Sequence, residues 1–223
     1  MTTADTFRLV LAPPHPAGRP FIVAGIVALV LGLIAWHALA WLALLFIGFC
    51  CYFFRDPERV PPGRPGALLA PADGKVVSVT AAVPPGELGL GLAPRWRVGI
   101  FLSIIDVHVN RVPADGTVTR IAYRHGGFVN ASLEAASEAN ERNAVAIRLA
   151  DGREVAVVQI AGLVARRILC ELREGDTVRA GARLGMIRFG SRTDLYLPEG
   201  VRPLVAEGQT MIGGETVIAE LAP

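Results

Sequence analysis

Charged residues disappear from the chain between Phe21 and Phe54, a stretch with no Lys, Arg, Asp or Glu. A membrane-spanning helix needs roughly 20 apolar residues, so this run exceeds one span and barely holds two with a turn. It predicts two closely spaced hydrophobic helices, with one long tilted helix as the alternative. His37, near the middle, reads as a polar kink or interfacial residue. A cleaved signal peptide fits less well, because the run outlasts a usual apolar core and no small-residue cleavage motif follows. Arg55-Asp56-Pro57-Glu58-Arg59 closes the run abruptly, and Pro57, Pro61, Pro62 and Pro65 then stiffen the chain. The pattern divides the protein into an irregular N-terminus (1–20), a hydrophobic membrane segment (21–54), a Pro-rich linker (55–66) and a main domain (67–223).

From Leu68 onward the pattern changes to short runs rich in Val and Ile, broken by Gly, Pro and Asp, which read as strands. Lys75–Val79, Arg97–Leu102, Thr117–Tyr123, Ala144–Leu149, Val155–Ile160, Leu184–Phe189 and Leu195–Leu197 are the candidates. Two turns echo each other: Pro71-Ala72-Asp73-Gly74-Lys75-Val76 and Pro113-Ala114-Asp115-Gly116-Thr117-Val118. A related turn, Gly175-Asp176-Thr177-Val178-Arg179-Ala180-Gly181, resembles the hammerhead turns of lipoyl- and biotinyl-type domains. The expected fold is therefore mainly β (α+β): a compact β domain with lipoyl-like, barrel-sandwich-hybrid motifs, preceded by the hydrophobic helices. One helix is expected within it, Ser132–Arg142, with Ser132 as cap and Leu133, Ala136 and Ala139 on one face.

Composition sharpens this picture only in places. The 223 residues are 52% hydrophobic, and a mean hydropathy of +0.45 is high for a soluble domain, as a membrane segment would make it. A net charge of +2 gives no argument for nucleic acid as a partner. Arg55, Arg59 and Arg64 cluster just after the apolar run, which places the main domain on the cytoplasmic side of a cell membrane. Three cysteines show no metal-like or paired spacing, and a reducing compartment is the simpler reading.

Two stretches could carry chemistry. In Phe101–Pro113 the alternation puts Asp106, His108 and Asn110 on one strand face, suiting either a cleft or a solvated surface. In Arg188–Pro198 a Gly190-Ser191 pair interrupts two apolar β runs, where a plain hairpin would more often show Asn-Gly or Asp-Gly. A serine hydroxyl is a weak nucleophile and needs a neighbouring base and a stabilised oxyanion. Glycine before it tolerates the backbone angles that present a carbonyl to the incoming oxygen.

The run Asp106-Val107-His108-Val109-Asn110-Arg111-Val112-Pro113 resembles the D-x-H-x-N-R-x-P pattern of phosphatidylserine decarboxylase proenzymes of the short, prokaryotic form. Further blocks resemble that family in the same order: Ala70–Gly74, Asn140-Glu141-Arg142-Asn143, Ala161–Ile168 with Arg166 and Arg167, and Arg188–Pro198 as the self-cleaving site. The resemblance implies attack of Ser191 on the Gly190 carbonyl, elimination, and a pyruvoyl group formed covalently from Ser191, with no metal and no pyridoxal phosphate. That group would condense with the amine of phosphatidylserine and accept electrons as CO2 leaves, giving phosphatidylethanolamine. It implies a large chain, 1–190, held to a small chain, 191–223, at a membrane lipid bilayer, and leaves room for a homo-oligomer. His108, oriented by Asp73, is the expected base for Ser191, by Ser-His-Asp logic. Asp106, Asn110, Arg111, Glu141, Arg142, Arg166 and Arg167 are the expected substrate contacts. Long-form members carry a second histidine where this chain has Arg111, so a division of labour between two histidines does not transfer.

Three other readings compete. A membrane serine protease would pair Ser191 with Lys75, the only lysine. A zinc peptidase would need more ligands than His108 and His125 provide. A membrane-anchored lipoyl-like adaptor, with no catalysis, leaves the histidine and Gly-Ser blocks without a reason.

Overall fold

A computed structural model describes residues 12–127, 140–162, 167–188 and 191–221. The chain forms two compact units, one ending at Glu58 and the other starting at Arg59.

The first unit is a pair of apolar helices, α1 (Arg19–Ala35) and α2 (His37–Phe53), broken at Trp36. Trp36 is extended, with φ −160° and ψ 104°, and reverses the chain. The helices pack through small residues. A Cβ on Gly32 would lie 2.8 Å from the Ala40 Cα, one on Gly25 would lie 2.7 Å from Ile47 Cγ1, and one on Gly18 would lie 2.7 Å from the Phe54 Cβ. Seven-residue spacing puts Gly25 and Gly32 on one stripe of α1, with Gly18 capping its start, and their missing side chains let the chain approach closely. Pro16–Ala35 is, among the described residues, the one helix long and apolar enough to cross a membrane, with mean hydropathy 2.1; His37–Phe53 is shorter. Two helices, rather than one long one, occupy the apolar run.

The second unit is mainly β. Eight strands make an antiparallel sheet in the order β12 (Thr210–Met211), β2 (Gly74–Ala82), β3 (Arg95–Leu102), β11 (Ser191–Tyr196), β7 (Glu154–Ala161), β6 (Arg142–Arg148), β5 (Gly116–Arg124) and β9 (Thr177–Val178). β4 (Val109–Arg111), β10 (Arg183–Ile187) and β8 (Ile168–Cys170) form a three-stranded sheet, and β1 (Ala67–Leu69) pairs with β13 (Val217–Glu220). Strand alternation sends Val98, Ile100, Leu102, Val145, Ile147, Val155, Val157 and Leu195 into one core. The opposite face buries Ala144, Ala146, Ala156, Val158, Ile160 and Tyr196 under Leu88 and Leu90 of the β2–β3 connection.

The echoing Pro-Ala-Asp-Gly turns do the same structural work twice. Asp73 Oδ1 accepts from Gly213 N at 2.8 Å, and Asp115 Oδ1 accepts from Ala180 N at 2.7 Å. Ala70 O accepts from Gly214 N, and Val112 O accepts from Gly181 N. Each aspartate fastens its own turn to a turn from the C-terminal half, and Gly74 and Gly116 then open strands β2 and β5.

Two expectations need correction. The alternation in Phe101–Pro113 does not make one strand: β3 ends at Leu102 and β4 starts at Val109. Between them Asp106 N donates to Ser103 O and Ser103 N to the Asp106 carboxylate, a closed turn that competes with strand pairing. The helix expected over Ser132–Arg142 falls mostly on residues outside the described ones. At its end Asn140 bridges Gly127 and Arg142 starts β6, where pairing with both β5 and β7 overrides helix propensity.

A chain of residues 59–223 should fold by itself, with a β-type circular dichroism spectrum and a cooperative melt, because its core draws on no residue before Leu68. It should also leave the membrane pellet. A non-cooperative melt would show that the helical unit is needed for folding.

Candidate functional site

Ser191 opens strand β11, with Leu102 of β3 on one side and Ala161 of β7 on the other. Both neighbours are fully paired, so the first residue of β11 is fixed in register and its side chain in direction. It is 0% exposed, and among the described residues its Oγ has no hydrogen-bond partner. A buried hydroxyl without a partner costs free energy, and such an exception calls for an explanation.

What holds β11 in that orientation lies on its opposite face. Arg192 and Asp194 point away from Ser191 and are 0% and 1% exposed. Arg192 Nε donates to Asp194 Oδ1 at 2.5 Å and its Nη2 to Ser78 Oγ at 2.8 Å, while Arg97 lies 3.8 Å from the other carboxylate oxygen. Gly99 makes room for this: a Cβ there would lie 2.6 Å from Ser78 Oγ and run into the Arg192 guanidinium. On the inner face Thr193 Oγ1 accepts from Asn110 Nδ2 at 3.3 Å, Asn110 Oδ1 from Gln159 Nε2 at 2.9 Å, and Gln159 Oε1 from Asn143 Nδ2 at 2.9 Å. This buried amide chain ties β4, β6, β7 and β11 together. Asn110 is thus engaged in positioning β11.

His108 reaches the same place by another route. It is 0% exposed, its carbonyl accepts from Ile187 N at 3.3 Å, and its Nδ1 lies 3.0 Å from the Asp106 carbonyl oxygen. Ile187 ends β10, four residues before Ser191, so the crossing from β10 to β11 brings histidine and serine to one end of the sheet. Gly190 and Arg166 lie outside the described residues.

Asp73 sits at the start of β2, at that same end. Its carboxylate receives Arg59 Nη2 on both oxygens, at 2.8 and 2.7 Å, and makes no hydrogen bond to His108. Burial pushes the Asp73 carboxyl up, against the pull of Arg59 and the Gly213 amide, and the nearby Asp106 adds to the upward push. The remaining expected contacts separate. Arg111 is buried and donates to Gly181 O at 3.3 Å, under the hammerhead-like turn. Arg142 is buried on the outer face and binds Glu87 at 2.6 Å. Glu141 stands on the inner face in line with Ser191: its carbonyl accepts from Ala161 N, two strand spacings or roughly 10 Å from the serine. Its carboxylate binds the Tyr123 hydroxyl and faces His125 at 3.6 Å. Burial, and then the hydrogen bond to Glu141, push the Tyr123 phenol up to about 12. Lys75 is exposed on the face opposite Ser191, which removes the Ser-Lys pairing. Among the described residues no cluster of three or more His, Cys, Asp or Glu could hold a metal ion.

Sequence reasoning missed Arg59, Gln159, Asn143 and the Arg192–Asp194 pair. The pair carried a signal: opposite charges two apart in an apolar strand share a face and stabilise each other when buried.

Asp194→Ala should lower stability by about 3–5 kcal/mol, because it strands Arg192 in the interior; a thermal melt unchanged within error would deny the pair this role. Tyr123 binds its proton more tightly folded than unfolded, so its contribution is complete below pH 10 and is lost as the pH rises through about 12. The tyrosinate absorbance of the native protein minus that of Tyr123→Phe should show this late titration.

Comparisons with known proteins place the chain. The family model for phosphatidylserine decarboxylase matches residues 46–219. A phosphatidylserine decarboxylase proenzyme of Granulibacter bethesdensis is 70% identical over 223 residues, covering 100% of this chain and 91% of the relative. Proteins of the same name from Gluconacetobacter diazotrophicus (62% identical; 99% and 100% covered) and Saccharopolyspora erythraea (57%; 96% and 91%) are similar along nearly their whole length. With a family model matching residues 46–219 and relatives of this kind over its full length, the chain, which heads β11 with a buried serine, belongs to the phosphatidylserine decarboxylase family.

Proposed function

We propose that the protein is a self-processing proenzyme that decarboxylates phosphatidylserine to phosphatidylethanolamine, with Ser191 as the residue that cleaves the chain. The observation that carries this reading is the buried Ser191 hydroxyl at the first position of a doubly paired strand. Attack of Oγ on the Gly190 carbonyl turns the amide into an ester, and the serine proton passes to His108, the base at this end of the sheet. Protonation of the freed amine completes the exchange. Elimination then removes the Ser191 α-proton and breaks the Cβ–O bond, releasing the carboxylate of Gly190. Addition of water to the dehydrated residue, in its imine form, expels the α-nitrogen as ammonia and leaves a pyruvoyl group on the small chain, 191–223, which stays with the large chain, 1–190, because β11 remains paired on both edges.

Such a group fits the site. Its precursor is Ser191 itself, and the orphaned hydroxyl is the atom that departs. Once formed, the group supplies an electron sink for the pair left behind when CO2 departs. The surrounding residues exclude water: Ala161, Ile168 and Ile187 pack as one apolar cluster beside the serine. Asp73 acts as a positioning residue. Because its carboxylate is held by Arg59, its influence on His108 is electrostatic, exerted through space.

The helical unit supports a place at the cell membrane, and Arg55, Arg59 and Arg64 after it favour a cytoplasmic catalytic domain. The Gly175–Gly181 turn, with φ 91° and 77° at its two glycines, supports the lipoyl-like reading of this corner.

Intact-mass analysis tests the proposal. The native protein should give two chains, and Ser191→Ala only one, without activity. His108→Ala should slow cleavage by about 10²-fold or more. Asp73→Asn should slow it less, since it acts on the histidine through space. Cleavage of His108→Ala at the native rate would move the base elsewhere, and a single, fully active native chain would overturn the whole reading.

A further inference from the structure

The helical unit is fastened at its base. His15 N donates to Phe54 O at 2.7 Å and Asp56 N to Pro13 O at 3.0 Å, on either side of an antiparallel bridge between Pro14 and Arg55. Phe21 stacks on Phe54 with ring centroids 5.4 Å apart. The chain entering α1 and the chain leaving α2 are thereby held at one level. Whatever depth one end takes in a bilayer, the other takes too.

The opposite end of the unit is the break at Trp36. Trp36 N donates to Gly32 O at 2.8 Å, its carbonyl accepts from Leu39 N at 3.0 Å, and α2 starts at His37. A helix start leaves its first N–H groups without intrahelical partners, and hydrocarbon supplies none. The break therefore belongs among water or headgroups, as does the His37 ring. Between base and tip each helix has 17 residues. That is about 25 Å of helix against a hydrocarbon core of about 30 Å, and 17 residues is roughly the shortest span in use. A small local thinning of the bilayer covers the difference.

The flanks of the pair complete the picture. Val27, Leu31 and Ile34 on α1 and Trp41, Leu42 and Leu45 on α2 are each at least half exposed. Helices apolar all round fit acyl chains. Charge is confined to the base, with Arg19 before the apolar run and Arg55 after it.

We propose that the helical unit crosses the cell membrane as a closed hairpin. Its two ends leave on the same face, its flanks lie against acyl chains, and Trp36, His37 and Trp41 reach the headgroup region of the far leaflet, which tryptophan favours. The arginines at the base mark that face as the cytoplasmic one. This rests on the membrane reading of the helical unit, is independent of the decarboxylation chemistry, and adds the topology and the depth of the tip.

The test uses the full chain in a bacterial inner membrane, with an epitope tag at each terminus and self-cleavage followed by intact mass. Protease added to spheroplasts should spare both tags, and protease added to inverted vesicles should remove both. Loss of the two tags from opposite faces would overturn the hairpin, and loss of both from spheroplasts would overturn the assignment of the face. Depth is read with a membrane-impermeant maleimide on Trp36→Cys and His37→Cys. Each should gain label over the native chain in spheroplasts and not in inverted vesicles. Label gained only in inverted vesicles, or on neither side, would overturn the crossing. A native chain released by alkaline carbonate would instead overturn the membrane reading beneath.

Discussion

Strand β11 is hydrogen-bonded along both edges, and its two faces meet opposite environments. One face carries Arg192 and Asp194, an ion pair sealed from water; the other carries Ser191, Thr193 and Leu195. A one-residue slip would drive a guanidinium into the apolar core and put the serine where Arg192 lies, so the register is strongly specified. Everything asked of Ser191 depends on this. A nucleophile that must meet one particular carbonyl gains more from a fixed backbone than from an exposed side chain.

The two faces do different work around the strand. On the outside, charges are paired in fixed geometry: Arg192 with Asp194, Arg97 near the same carboxylate, Arg142 with Glu87. Burial would push Glu87 up, but the Arg142 guanidinium holds its carboxyl below the usual range. On the inside, the chain of Asn143, Gln159, Asn110 and Thr193 satisfies buried amides without introducing charge. The network there is neutral along its whole length.

The two Pro-Ala-Asp-Gly turns show one structural element in two settings. Asp115 and Asp73 each fasten one turn to another through a backbone amide, and Asp115 does so at an exposed position. Asp73 is half-buried and also receives Arg59 and feels Asp106. The same motif thus serves twice as a clasp, and in one copy its aspartate also takes an arginine.

Local pattern alone determined a good deal. The apolar run, its division near His37, most of the strands and the blocks shared with the decarboxylase family were all legible, because periodicity of 2 and runs without charge leave direct marks on sequence. His108 and Ser191 were legible as a pair only through the family resemblance. What tertiary structure decided was partnership. Arg59, not His108, holds Asp73; Arg111 and Arg142 turn to other duties; and Ser103–Asp106 closes into a turn although its alternation reads as strand. Each of these is a choice between partners far apart in the chain. Such choices follow from which strands lie side by side and which faces they bury, and no local run of residues records either.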